Sequence, residues 1–403
     1  MIDYNLICKC EKTLKEKFEY FEDVALFNQE KVLNAFQENR LALRHFTGTS
    51  GYGYGDEGRD TLNKVIADVF KAEQAICSPT IVSGTHALSL CLYGVLRPGN
   101  SVLCITGMPY DTLNDVIFGE GNGSLKDFNV KFDCISLKND VIDKDAIANY
   151  FKNNKMPEMI YMQRSRGYAW RNAMSIDEIS DAVNFVKNLG FNGCIMLDNC
   201  YGEFIEKREP IEVGVNLLAG SMIKNPGGGI APTGGYVAGD AKYVEMVQNR
   251  LTAPSIGGEV GSYSYGYQYY FQGLFLAPHT VLQAVKGSML FGAVLNELGY
   301  QTSPSVNSLP RDIILAVKFG NEKDLVSFIQ GIQKNSPIDS HVDAMPWEMP
   351  GYNDKVIMAA GCFVQGSSIE LSADAPITPP YIAYVQGGLT YEHCKIALKN
   401  MKL

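Results

Sequence analysis

The stretch Ser221-Met222-Ile223-Lys224-Asn225-Pro226-Gly227-Gly228-Gly229 brings one lysine from a short apolar run into a glycine-rich turn. Proline and glycine end regular structure, so Lys224 is not expected to lie on the surface of a helix. Apolar neighbours on its N-terminal side predict burial of the amine, and burial lowers the pKa of a lysine. The alternative is a surface lysine at a strand end whose amine reaches into water.

Asp198 follows another short apolar run, Cys194 to Leu197, which is typical of a parallel strand buried on both faces. Extended runs also occur upstream, at residues 75–83, 101–106, 131–137 and 159–162, and helical patterns lie between them. A capping box formed by Ser175 and Glu178 marks the start of one helix. The alternation predicts an α/β fold in which a mostly parallel sheet is covered on both faces.

The chain has 403 residues, too many for one ordinary core, so we expect two packed units. A long helical pattern over about residues 280–298 follows a loop rich in glycine and tyrosine at residues 257–273. Extended runs then follow with one short helix, at residues 312–319, 356–363 and 367–371. We predict a helical arm at residues 1–45, a large domain at 46–285 and a smaller α+β C-terminal domain at 286–403.

Polar segments end several of the predicted strands, at residues 83–86, 107–110, 163–166 and 198–199. Ligands bind at the carboxyl ends of strands in open parallel sheets. Gly84 and Thr85 either present backbone amides to a phosphate at a helix N-terminus or simply begin a helix. Tyr110 either stacks on a flat cofactor or packs against the protein.

Asp198 and Lys224 together indicate the chemistry. A buried carboxylate needs a cationic or hydrogen-bonding partner, for which the ring nitrogen of pyridoxal phosphate and a helix N-terminus are both candidates. An amine for covalent attachment and a carboxylate for the ring nitrogen are what a pyridoxal phosphate enzyme supplies. The order of phosphate amides, aromatic ring, carboxylate and lysine along the chain therefore predicts pyridoxal 5'-phosphate as the cofactor.

The composition disfavours other classes of protein. A formal net charge of −9 disfavours nucleic-acid binding, and no apolar run is long enough to span a membrane. The ten cysteines lack metal-ligand spacing apart from Cys8-Lys9-Cys10, so we predict no metal site. No secretory signal opens the chain, and we expect a cytoplasmic protein.

Longer motifs resemble the Cys/Met-metabolism group of fold-type-I pyridoxal phosphate enzymes, and most closely the bacterial aluminium-resistance or methionine gamma-lyase branch. These motifs are GYGYGDEGRDTL at residues 51–62, QRSRGY at 163–168, KNPGGGIAPTGGY at 224–236 and QGGLT at 386–390. The resemblance covers nearly the whole chain. It implies the fold of the fold-type-I pyridoxal phosphate transferases and a homodimer with a shared site, which could double to a tetramer.

The resemblance also implies a role for each candidate residue. Lys224 would hold the cofactor covalently, and Asp198 would pair with its ring nitrogen. Tyr110 would stack on the ring and assist proton transfer at the leaving group. The phosphate would be bound by Gly84, Thr85, Ser221 and, from the neighbouring subunit, Tyr54.

Two departures from the lyase pattern concern the cofactor. The lyases have an arginine two residues after the shared tyrosine, but this chain has Asp56 there. Arg59 is the nearest substitute for binding the phosphate. The hydroxyl residue usually found just before the lysine is replaced by Ile223.

A third departure concerns the substrate. The lyases carry a C-terminal-domain arginine that clamps the substrate carboxylate, but this chain has no arginine after Arg311. We hypothesise that Arg166, or less favourably Arg164 or Arg171, takes this role, and that Gln163 also binds the substrate. The alternative is that these arginines form internal ion pairs.

Taken together, these features predict a lyase that eliminates a thiol from a cysteine- or methionine-type amino acid, leaving a 2-oxo acid and ammonia. Elimination from the β or the γ carbon uses the same residues, so the sequence does not choose between them. Aldol cleavage, racemisation and transamination are the alternative reactions. A stress-response binding protein with little turnover is an alternative of another class.

Overall fold

The structure, a computed structural model, describes residues 1–349 and 354–402. A seven-stranded sheet consists of β1 (Gln74–Ser78), β2 (Ser101–Cys104), β3 (Lys131–Cys134), β4 (Met159–Gln163), β5 (Cys194–Asp198), β6 (Leu217–Ser221) and β7 (Gly235–Gly239). Its order is β1-β7-β6-β5-β4-β2-β3, and β7 runs antiparallel to both of its neighbours while the other pairs are parallel. The predicted α/β fold with a mostly parallel sheet is confirmed.

Helices cover both faces of this sheet. Along the described chain the helices, including α10 and α11 of the C-terminal part, are α1 (Tyr4–Thr13), α2 (Lys15–Glu38), α3 (Glu57–Val69), α4 (Gly84–Val95), α5 (Asn114–Phe118), α6 (Lys144–Asn153), α7 (Ile176–Asn188), α8 (Ala241–Leu251), α9 (Gln268–Glu297), α10 (Glu322–Lys334) and α11 (Tyr391–Asn400). The capping box predicted before α7 is present, since the Glu178 carboxylate accepts the Ser175 N–H at 2.7 Å and the Ser175 hydroxyl accepts the Glu178 N–H at 3.2 Å. Strands β4 to β7 are buried throughout, as their apolar runs require.

A second, antiparallel sheet lies in the C-terminal part of the chain. Its strands are β8 (Gln301–Ser303), β9 (Ile314–Lys318), β10 (Val356–Ala359), β11 (Ser372–Pro376) and β12 (Ile382–Gln386), in the order β10-β11-β12-β9-β8. The strand predicted at residues 367–371 was wrong, because β11 begins only at Ser372. The Glu370 carboxylate instead accepts the N–H groups of Phe363 and Val364 at 2.8 and 2.9 Å, which holds a turn.

Helix α9 begins twelve residues before the predicted start. The pattern of glycines and tyrosines at residues 257–273 resembles a loop, yet residues from Gln268 onward are helical and Pro278 lies inside the helix. A side chain at Gly273 would come within 2.2 Å of the carbonyl oxygen of Gly227. The glycine therefore allows close packing of the helix on residues 224–229, which we call the lysine loop, and does not mark a turn.

The predicted N-terminal arm is helical and packs against the rest of the chain. Residues of α1 and α2, such as Ile7 and Val32, are fully buried in the main hydrophobic core. The division at residues 285 and 286 falls inside α9 and stays a prediction, and residues 350–353 and 403 of the predicted small domain lie outside the described residues. All ten cysteines are free, and no described helix is long and apolar enough to cross a membrane.

Candidate active site

A pocket with an empty volume of about 480 Å³ lies where the carboxyl ends of β4, β5 and β6 meet the small sheet. The large domain lines it with Tyr110, Gln163, Ser165, Gly167, Tyr168, Asp198, Cys200, Tyr201 and Lys224. The small domain lines it with Ile314, Asp374, Tyr384 and Gln386. Residues that lie far apart in the sequence, including the predicted lysine and carboxylate, thus share one cavity.

The lysine loop is held from two sides. Gly228 has a left-handed φ of 56°, and a side chain there would come within 2.3 Å of the Gly273 carbonyl oxygen in α9. The Asn225 amide donates to the carbonyl oxygens of Tyr201 and Glu203 at 3.1 and 3.0 Å. These contacts fix the backbone on which Lys224 sits, next to the loop that follows β5.

The amine of Lys224 lies 4.0 Å from the centroid of the Tyr201 ring, within range of a cation–π contact. Burial lowers the pKa of Lys224, but Cys200, Tyr201 and Asp198 together raise it by more. The expectation of a lowered pKa was therefore wrong in its net direction. The sequence shows the apolar neighbours of the lysine but not the acidic groups that the fold brings beside it.

Asp198 is 6% exposed and ends the central strand β5, where it pairs with Gln163 of β4 and Ala219 of β6. Its Oδ1 accepts the N–H of Cys200 at 3.0 Å. Burial raises the pKa of Asp198, and Lys224 offsets part of this increase. Since turns follow β5, the alternative role of Asp198 as a helix N-cap is wrong.

The N-terminus of α4 faces the same region. A Cβ atom built on Gly84 would lie 3.4 Å from Sγ of Cys200 and 3.6 Å from Cβ of Ser221. The Ser83 hydroxyl caps the helix by accepting the His86 N–H at 3.0 Å, and the Thr85 hydroxyl lies 2.8 Å from that of Thr112. Gly84 at the start of α4 and Ser221 at the end of β6 are thus brought together around one small space.

Tyr110 is positioned by Gln163. The Tyr110 N–H donates to Oε1 of Gln163 at 2.7 Å, and Nε2 of Gln163 donates to the Ser165 carbonyl oxygen at 3.1 Å. The Tyr110 ring lies edge-on to Tyr168, with centroids 6.4 Å apart. Both polar atoms of the Gln163 side chain are therefore engaged in holding this side of the pocket.

The three candidate arginines make internal contacts and are not among the residues that line the pocket. Arg166 donates to the carbonyl and hydroxyl oxygens of Ser303 at 2.8 and 2.9 Å, and its Nε lies 3.9 Å from the Asp312 carboxylate. Arg164 contacts Asn199 and Glu206, and Arg171 contacts backbone carbonyls. These contacts favour the alternative of internal pairing, and a substrate-binding role for Arg166 stays a prediction.

Tyr54 and Arg59 are not among the residues that line this pocket. Tyr54 is 68% exposed on a loop, whereas Arg59 is buried and donates to the Gly53 carbonyl oxygen at 3.0 Å. Asp56, which stands where the lyases have arginine, caps α3 by accepting the Arg59 N–H at 2.9 Å. A phosphate-binding role for Tyr54 or Arg59 requires a neighbouring subunit and stays a prediction.

Several pocket residues were not singled out from the sequence. Tyr201 adopts a left-handed φ of 70°, which is unusual for a residue with a side chain, and its ring lies beside Lys224. Asp374 lies on β11, where burial raises its carboxyl pKa to about 6, and the Tyr168 hydroxyl donates to it. The one acidic residue in the run Ser372-Ala373-Asp374-Ala375 could have indicated a functional side chain. Because the strand was predicted at residues 367–371, the sequence did not show which face of the sheet Asp374 occupies.

Glu203 is a fully buried carboxyl behind the lysine loop. Its Oε1 accepts the Tyr236 hydroxyl at 2.8 Å, while its Oε2 has no hydrogen-bond partner within residues 1–349 and 354–402. Burial raises the pKa of Glu203 to about 8. The folded protein thus holds this carboxyl protonated at pH values where the unfolded chain has already released the proton.

We expect Glu203→Gln to stabilise the protein at pH 9 but not at pH 5. An acid with a raised pKa weakens the fold as pH rises from its ordinary pKa of about 4.5 to its folded value. A pKa that differs by one between the folded and unfolded protein corresponds to about 1.4 kcal/mol, so the difference in the free energy of unfolding should reach several kcal/mol. Thermal unfolding of both proteins from pH 5 to 9 measures it, and a difference independent of pH would contradict the assignment.

The family of the chain follows from a match along almost its whole length. The sequence profile of the methionine gamma-lyase family matches residues 3–402. The chain belongs to the methionine gamma-lyase family. Within this family, the uncharacterized protein YnbB of Bacillus subtilis strain 168 is 49% identical over 381 residues, which is 94% of this chain and 90% of YnbB.

Solved structures from other bacteria resemble the present chain closely. One from Clostridium novyi NT, described as a carbon-sulfur lyase involved in aluminium resistance, is 46% identical with a TM-score of 0.94, covering 98% of this chain and 95% of that chain. One from Listeria innocua, provisionally described as a cystathionine beta-lyase involved in aluminium resistance, is 48% identical with a TM-score of 0.96. The match covers 99% of this chain and 98% of that chain. The predicted membership of the aluminium-resistance branch is confirmed.

More distant structures share the fold. The cystathionine gamma synthase of Xanthomonas oryzae pv. oryzae is 13% identical with a TM-score of 0.62, and it covers 93% of this chain and 96% of its own. At this identity the likeness concerns the fold alone. It confirms the predicted fold type I of pyridoxal phosphate enzymes.

Proposed function

We propose that this family member is a pyridoxal phosphate-dependent carbon–sulfur lyase that releases a thiol from a cysteine- or methionine-type amino acid. The observation that carries the proposal is the meeting of Lys224 and Asp198 in one pocket, beside Gly84 and Ser221. The Clostridium relative described as a carbon-sulfur lyase supports the reaction class. The co-products would be a 2-oxo acid and ammonia.

The residues present fit this cofactor. Asp198 is a buried carboxylate whose raised pKa reflects the lack of enough positive charge, and a protonated ring nitrogen would supply that charge. A side chain at Gly84 would fill the space beside Ser221, so the glycine leaves room for a phosphate at the N-terminus of α4. Lys224 offers an amine for covalent attachment, and Tyr110 offers a ring in the same pocket.

The mechanism assigns a task to each of these side chains. When bound, the cofactor withdraws electrons from the α-carbon of the substrate. The amine of Lys224 would take the proton from the α-carbon of the substrate. Tyr110 would donate a proton to the departing sulfur, so that the carbon–sulfur bond breaks and a neutral thiol leaves. The Asp198 carboxylate would hold a proton on the ring nitrogen of the cofactor.

The remaining roles follow the same proposal. We propose that a homodimer brings Tyr54 and Arg59 of one subunit to the phosphate of the other, because Tyr54 is exposed and does not line the pocket of its own chain. We also propose that Gln163, and Arg166 after rearrangement, contribute to substrate binding. The ten free cysteines are consistent with a reducing cytoplasmic compartment.

We expect the purified protein, saturated with pyridoxal phosphate, to release free thiol, 2-oxo acid and ammonia in equal amounts from an S-substituted cysteine. The equal amounts follow because one elimination and one hydrolysis yield all three products. Thiol titration and 2-oxo acid assays measure them, with L-threonine and L-alanine as controls for aldol cleavage and transamination. Glycine with an aldehyde, or no product from any amino acid, would reject the lyase assignment.

A further inference from the structure

The small sheet supplies one wall of the pocket, and its register decides which side chains reach it. Asp374 of β11 pairs with Tyr384 of β12, and Ser372 pairs with Gln386. Side chains alternate along a strand, so Asp374, Tyr384 and Gln386 share one face while Ala373 and Val385 face the core. All three residues of the shared face line the pocket.

The Asp374 carboxylate keeps capacity for a further donor. It accepts hydrogen bonds from the Tyr168 hydroxyl and, at 3.4 Å, from the Gln386 amide. An ionised carboxylate has about four acceptor sites, so these two contacts and a hydrogen bond from the Asp374 backbone do not saturate it. Asp374, Lys224 and Tyr201 line the same pocket, so the carboxylate shares a cavity with the candidate amine.

The charge of the pocket favours a cationic ligand at this wall. Among its described lining residues, Lys224 is the one cationic side chain, and it stands beside Asp198. A carboxylate of the substrate placed against Asp374 would meet a like charge in a partly buried site. An ammonium group there would form a charge-assisted hydrogen bond instead.

We infer that the Asp374 carboxylate binds an ammonium group on the side chain of the substrate. The preferred substrates are then S-substituted cysteines, or their homologues, that carry an amine beyond the sulfur. The inference rests on the proposed lyase function for the identity of the substrate. It adds a specificity-determining residue that the lyase reaction itself does not require.

The first test compares three substrates on the holoenzyme. S-(2-aminoethyl)-L-cysteine, S-propyl-L-cysteine and S-carboxymethyl-L-cysteine carry a cationic, a neutral and an anionic tail of similar length. We expect the cationic substrate to have a kcat/KM about tenfold or more above the others, as suits a charged hydrogen bond. Asp374→Asn should abolish this preference, whereas Asp343→Asn, an exposed site on the small domain with the same change in charge, should retain it.

The second test measures binding without elimination. L-lysine and L-2-aminoheptanoate have side chains of the same length but differ in an ammonium against a methyl group, and neither has a carbon–sulfur bond. Calorimetric titration of the holoenzyme should give a Kd for L-lysine about tenfold lower than for L-2-aminoheptanoate. This comparison needs no variant, so it holds even if Asp374→Asn does not fold.

The two tests separate failure of the inference from failure of the lyase function. If no substrate releases thiol but L-lysine binds more tightly through Asp374, the lyase function fails and the ammonium site stands. If all three substrates react equally and the two ligands bind equally, the lyase function stands and the inference is overturned. An ammonium preference that survives in Asp374→Asn also overturns it, because another group would then be responsible.

Discussion

Replacing Lys224 by alanine is expected to lower kcat for thiol release by about a thousandfold or more. Under the proposed function the variant would lose both the attachment point of the cofactor and the base for the α-proton, and a positioned acid or base alone contributes about 10² to 10⁴. The amine lies in the pocket beside Tyr201 and Asp198, where few other described groups can replace it. Steady-state thiol release by the wild type and the variant measures the effect.

Chemical trapping tests the same residue independently of activity. Borohydride reduction of the wild-type holoenzyme, followed by peptide mapping, should place the mass of the cofactor on the peptide that contains Lys224. The variant should show no such label, while Lys323→Ala, which removes an exposed lysine of α10, should keep both label and activity. A label on another lysine, or full activity in Lys224→Ala, would refute the assignment.

Asp198→Asn is expected to lower kcat by about a hundredfold or more and to weaken cofactor binding. An amide has nearly the shape of the carboxylate but cannot keep a ring nitrogen protonated, and loss of one preorganised electrostatic contact costs about 10² to 10³ in rate. Asp198 is buried at the end of the central strand, so water cannot substitute for its charge. Fluorescence titration of the cofactor-free protein measures the Kd, and thiol release measures kcat.

A matched surface change controls for the loss of one negative charge. Asp181→Asn removes an exposed carboxylate that pairs with Lys144, and it should leave kcat and the cofactor Kd unchanged. Circular dichroism should show that Asp198→Asn retains the fold. Equal kcat in the wild type and Asp198→Asn would show that no ring nitrogen depends on this carboxylate.

The large domain could be predicted well because its signals are local. The apolar runs before Gln163 and Asp198 mark buried parallel strands, and the carboxyl ends of such strands meet at one edge of the sheet. The capping box at Ser175 and the proline–glycine turn after Lys224 are likewise readable from neighbouring residues. The positions of the strand ends in the sequence are therefore sufficient to predict where the pocket lies.

The small domain could not be predicted to the same depth. Its strands are short, and the turn before β11 is held by the Glu370 side chain, which the sequence pattern does not reveal. An error of a few residues in a strand start leaves the facing of Asp374 undefined, because alternate side chains point to opposite faces. The predicted start of helix α9 came too late for a related reason. Gly273 is needed for close packing against Gly227, which lies far away in the sequence.

The sequence by itself determined the order of most β-strands and α-helices and the family, and it identified Lys224 and Asp198 as candidate residues that the structure places in one pocket. These follow from apolar runs, turn residues and motifs that lie within a few positions of one another. Only the tertiary structure decided that Asp374 faces the pocket, that the three arginines are engaged elsewhere and that the pKa of Lys224 is raised. Those properties depend on charges and hydrogen bonds between residues far apart in the chain, and burial gives such contacts their strength.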